Sequence, residues 1–184
     1  MKQPTTKNKL LKYSLYGFFF VSILGTLSHF FYQWSRQNPI IGLFCPINES
    51  TWEHMKLLFF PMLLYYALLN QKFGSTYPSI STAYPFSILL GTCLIPILFY
   101  SYSGILGFHL MIFDILTFYI SVFLAFLFFY CLVNKAEHKE NPNQKGTLIK
   151  LRPLIHFLLI LFFLFFLFFT YYPPKLGIFQ IPAN

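Results

Sequence analysis

The chain has 184 residues, of which 57% are hydrophobic and only 10% charged, whereas a soluble domain carries about 25% charged residues. That balance excludes an ordinary water-soluble globule, and apolar runs near or above about 18 residues recur along the chain, the length of membrane-spanning helices. The formal charge of +8 comes from Lys and Arg in short connections, which is how topology is set in membrane proteins and not how a nucleic-acid face is built.

Five spans are predicted in one all-helical membrane domain covering the chain. The first runs from Tyr13 to Trp34 and has no small-residue cleavage site, so it reads as a span and not as a signal peptide. The second runs from Thr51 to Leu69, the third from Ser79 to Tyr100, the fourth from Leu106 to Val133 and the fifth from Leu154 to Tyr172. The fifth is apolar all round and is expected to face lipid over most of its girth. Residues 134–153 form a polar, cytoplasmic loop in this reading. With the N-terminus in the cytoplasm, ten of the thirteen Lys and Arg fall inside and three (Arg36, Lys56 and Lys175) outside. The chain is therefore expected in the cell membrane with its C-terminus extracytoplasmic. Cys45, Cys93 and Cys131 form neither a disulfide framework nor a zinc pattern.

The scarce ionisable residues gather at one end. His29 lies near the outer end of span one, His109 and Asp114 near that of span four, and Glu49, Glu53 and His54 at the mouth of span two. Such groups near lipid are costly and face the bundle interior or a wet cavity. Ser22, Gly25, Thr26, His29 and Gln33 share a stripe at helical spacing, and so do Asp114, Thr117, Ser121 and Ala125. His29 and Asp114 should both point inward. His109 is about 140° from Asp114 on a regular helix, so the two meet only if that helix starts late or breaks near Gly107.

Two kinds of role suit these residues. In one, Ser50-Thr51-Trp52-Glu53 is a capping box with Asn48 adding a turn, Lys56 pairs with Glu53 at i, i+3 or snorkels, and Trp34 and Trp52 are interfacial anchors. His29 is then a satisfied interhelical hydrogen-bonder, and Asp114 a helix-pairing acid. In the other, His29, His54 and Asp114, with His109 a further candidate, hold zinc or another divalent metal. Glu53 or Glu49 serves as general base and water is activated against a lipid or amphiphile. A non-catalytic site for an ion or polar ligand, as in a transporter or receptor, remains the alternative, with haem held by two histidines behind it. The bilayer is the expected partner, and nucleic acid is not. Protein partners, metal identity and substrate are open.

The segment "HFFYQWSRQNPIIGLFCPINESTWEHMKLLFFPML", residues 29 to 63, resembles the signature of a family of small bacterial integral membrane proteins of unknown function, through His29, Tyr32, Trp34, Asn38, Pro39, Gly42, Pro46, Asn48, Glu49, Ser50, Trp52, Glu53, His54, Lys56 and Pro61. The tail "TYYPPKLGIFQIPAN" is similar to the family's end. The resemblance implies a multi-pass bacterial membrane protein and a structured outer loop over the cluster. It implies no activity.

Overall fold

The computed structural model describes residues 6–74, 77–137 and 142–182. Among them there is no strand; the fold is an all-helical bundle of α1 (Thr6–Trp34), a short α2 (Pro39–Phe44), α3 (Thr51–Phe73), α4 (Ile80–Leu106), α5 (Met111–Glu137) and α6 (Pro142–Phe169), with a 3-10 turn at Gly177–Phe179. The long helices alternate in direction. The C-terminal ends of α1, α4 and α6 therefore share one end of the bundle with the N-terminal ends of α3 and α5. His138 and Glu140, expected in the cytoplasmic loop, lie outside the described residues. The helices close in on that loop from both sides, α5 to Glu137 and α6 from Pro142.

Four helices, α1, α4, α5 and α6, are long and apolar enough to cross a membrane. α3, the second expected span, is not among them, although its 23 residues are long enough. Glu53, His54 and Lys56 dilute the apolar character of its first two turns, and its position explains why that is tolerated. α3 packs on α1 and α4, meets the rings of α6 through Trp52 and Phe59 against Phe166, and buries Leu58, Phe59 and Met62 completely. A helix walled by its neighbours need not be apolar all round. α6 is the reverse case, with Leu154, Phe157, Ile160, Leu164 and Phe168 turned outward.

Two glycines shape the end where the polar residues collect. A Cβ on Gly25 would stand 2.5 Å from the Leu57 carbonyl oxygen, so α1 and α3 approach as closely as backbones allow there. Gly107, at φ 79°, takes the left-handed conformation that closes α4 and accepts no Cβ cheaply. α4 thus continues past the expected Tyr100 to Leu106, and α5 starts only at Met111, which leaves His109 in the connection.

Candidate metal centre

The close approach at Gly25 brings two histidines face to face. His29 lies one turn beyond Gly25 on α1, and His54 one turn before Leu57 on the antiparallel α3, so both sit just beyond the crossing on the same side. Their Nε2 atoms are 3.3 Å apart. Between them comes Glu49, from the connection that precedes α3, with Oε2 at 3.2 Å from His54 Nε2 and 3.6 Å from His29 Nε2. Helix, helix and loop each contribute one donor atom, and among the described residues these three form the group able to hold a metal ion.

The tautomer of His54 is set by its own helix. Its Nδ1 lies 3.0 Å from the Ser50 carbonyl oxygen, which can only accept, so Nδ1 carries the hydrogen and the neutral ring presents a lone pair at Nε2. A ligating histidine is held in this way by a backbone acceptor on its far nitrogen. The Glu49 carboxylate beside it is also an acceptor. Lone pairs at 3.2–3.6 Å repel one another unless a cation, proton or metal, stands between them.

The Glu49 carboxyl sits below its ordinary range. Without a metal a proton can take its place: with Nε2 of His54 also protonated, its hydrogen bond to Glu49 is the main cause and the charge of both histidines adds to it, against partial burial, which works the other way.

The separations suit a metal. Zinc binds nitrogen at about 2.0–2.1 Å and carboxylate oxygen at about 2.0–2.2 Å, and a tetrahedron with such arms has edges of about 3.3–3.4 Å; the three observed edges are 3.2, 3.3 and 3.6 Å. The side chains of His29, His54 and Glu49 are 32%, 30% and 61% exposed, so the fourth face is open. Three protein ligands with an open position is the arrangement of catalytic zinc, and two histidines with one glutamate is among its ligand sets. Haem fits less well. The two imidazoles are in contact, with ring centroids 5.3 Å apart, which leaves no slot for a porphyrin between them.

The other expected site residues lie elsewhere. Glu53 is buried, and its Oε2 accepts from Lys56 Nζ at 2.7 Å and from the Ile47 N–H at 3.0 Å. It does not face the cluster as a base would. The capping box is only half formed. Ser50 Oγ accepts from the Glu53 N–H at 3.4 Å, but the Ser50 N–H goes to Asn48 Oδ1 and not to Glu53. Lys56 is fully buried and does not snorkel.

Asp114 does not join His29 and His54. Its Oδ2 accepts from His109 Nδ1 at 3.1 Å, its Oδ1 accepts from the Tyr102 hydroxyl, and the three residues pin the α4–α5 corner. The late start of α5 at Met111 is what lets His109 fold back onto Asp114. Trp52, expected at the interface, is buried among Phe166, Phe169 and Phe179, because the C-terminal tail folds over it. Trp34 is exposed and stacked on Phe30.

No curated protein and no solved structure matches the chain. Residues 1–183 match a family of unknown function, DUF6512, and the chain belongs to that family.

Proposed function

We propose that the protein is a multi-pass membrane protein whose His29–Glu49–His54 centre binds a divalent metal, zinc in the first instance, and uses it to hydrolyse a lipid or another amphiphile at the extracytoplasmic face. The observation that carries the reading is the triangle of three donor atoms with edges of 3.2, 3.3 and 3.6 Å, open on one side. A divalent ion held there supplies a Lewis acid that polarises a carbonyl oxygen or lowers the pKa of a bound water. The protein's own part is to hold the donors. His54 is fixed by the Ser50 carbonyl, His29 by the α1–α3 crossing, and Glu49 supplies the negative charge that balances the ion.

Two features support an amphiphile as substrate. Four helices are long and apolar enough to cross a membrane, and the cluster sits at the bundle end where those helices start or stop. Phe30 and Trp34 stand exposed beside His29, aromatic side chains of the kind that settle at headgroup level. The excess of Lys and Arg on the opposite side supports an extracytoplasmic placement.

The test is elemental analysis and zinc titration of detergent-purified protein, followed by hydrolysis of a fatty-acyl p-nitrophenyl ester. One tightly held zinc per chain, with turnover that is lost on chelation and in His54→Ala, is expected. Equal and negligible zinc uptake by wild type and His54→Ala would remove the metal reading. Uptake without turnover would leave a metal-binding membrane protein and remove the hydrolase.

A further inference from the structure

We infer that the buried Glu53–Lys56 pair is a positioning unit whose task is to hold Glu49 in place as the third ligand, a role that rests on the metal reading above. The pair is costly. Lys56 is 0% exposed and Glu53 2%, and taking two charges out of water costs enough that well-packed apolar residues of similar volume are often as stabilising. What an apolar pair lacks is direction. All three hydrogens of the Lys56 ammonium have an acceptor: Glu53 Oε2 at 2.7 Å, the Gly42 carbonyl at 3.0 Å and Thr170 Oγ1 at 2.6 Å. Thr170 is free to accept because its own hydrogen goes to the Phe166 carbonyl. Lys56 therefore ties α3 to α2 and to the end of α6.

Glu53 ties down the segment between α2 and α3. Its carboxylate accepts from the N–H of Ile47, two residues before Glu49, and its own N–H donates to Ser50 Oγ, one residue after. The second of these is a backbone bond that any residue at 53 would make, so the carboxylate's hold on Ile47 is what the pair itself adds beside Glu49. Its side chain is the most exposed of the three donors, and a solvated side chain is placed by its backbone. The neighbouring His54 stays fixed through Ser50 in any case, so the pair acts on Glu49 in particular.

The experiment uses the full-length protein in detergent with Co²⁺ as a spectroscopic stand-in for zinc. Glu53→Leu/Lys56→Met replaces both partners with apolar side chains and leaves no buried charge behind. It should fold and bind Co²⁺ about 10–100-fold more weakly, the usual effect of losing an outer-shell support. Its visible spectrum should resemble that of Glu49→Ala. In the Glu49→Ala background the same double substitution should cost less than a further twofold, because the ligand it positions is already gone.

Equal affinity of wild type and Glu53→Leu/Lys56→Met would overturn the inference and leave the metal reading standing. An equal loss in both backgrounds would also overturn it, since the pair would then act through the fold at large. Failure of wild type to bind Co²⁺ or zinc would remove the metal reading and this inference with it. Should the double variant not fold, Glu53→Met/Lys56→Leu, which likewise removes the acceptor and leaves no buried charge, is carried through the same cycle with the same expectations and the same overturning results.

Discussion

Two histidine–carboxylate clusters stand at the same end of this bundle, and they are built on opposite principles. At the α1–α3 crossing, His29, His54 and Glu49 come from three segments and aim their acceptor atoms at one shared point. At the α4–α5 corner, Asp114 sits between two donors, the Tyr102 hydroxyl and His109 Nδ1–H, so both its oxygens are occupied by protein. The first arrangement leaves one shared point for a proton or a metal ion. The second is complete as a fastening, apart from the buried His109 Nε2. Residue type alone does not separate a ligand site from a helix pin; the direction of the lone pairs does.

The largest effect that separates the two clusters is on metal affinity. Structural zinc binding is worth about 10–16 kcal/mol, and an even share for one of four coordination positions, three of them protein here, is about 2.5–4 kcal/mol, or roughly two to three powers of ten in Kd. His54→Ala should therefore lose zinc roughly a hundred- to a thousandfold. His109→Ala should stay within about twofold of wild type. Isothermal titration with zinc in detergent measures both, and comparable losses in the two variants would erase the distinction.

Stability should respond the other way round. Asp114→Ala leaves the Tyr102 hydroxyl and His109 Nδ1–H without their acceptor, at about 1–3 kcal/mol for unsatisfied, partly buried groups. The unfolding temperature of the metal-free protein should fall, while zinc affinity stays near that of wild type. Asp114→Asn keeps one acceptor oxygen and should lose less. A drop in zinc affinity without a drop in stability would move Asp114 from the corner to the centre.

Much of this end was legible in the sequence, and the limits have physical causes. The stripe through Gly25 and His29 points His29 at another helix, and the i, i+3 spacing foretells the Glu53–Lys56 contact, because both are properties of a single helix. The Asp114 stripe correctly turned the acid inward, but periodicity gives a face and not a neighbour. That face meets Tyr102 of α4 and not His29 of α1. Glu49 reads as a candidate base because a loop residue has no phase to give its direction. The bonds from Lys56 to Gly42 and Thr170 span 14 and 114 positions, and no local pattern carries them. The apolar count takes α3 for a span like the others, whereas its first two turns are polar and buried against neighbouring helices and only its second half turns Leu64 and Leu68 outward.

The smallest expected effect is on pH dependence, and it tests whether Glu49 is already engaged with the histidines before any metal arrives. Its carboxyl is lowered from 4.5, first by the hydrogen bond with His54 and then by the histidine charges. A carboxyl that is more acidic in the folded state contributes stability that is full above 4.5. That contribution is lost as the pH falls through the lowered folded value. Because Glu49 is 61% exposed, solvent screens the interaction and the contribution is small. With chelator present, wild type should unfold at a slightly higher temperature than Glu49→Gln near pH 6, and the gap should close as the pH falls below 4.5. At the α4–α5 corner Glu49→Gln changes nothing, so Asp114→Asn combined with Glu49→Gln should show the two losses adding, as they do for separate sites. No gap near pH 6 would mean that Glu49 reaches the histidines only when an ion draws it in, and a gap that persists unchanged into strong acid would mean that it does not come from the ionised carboxylate.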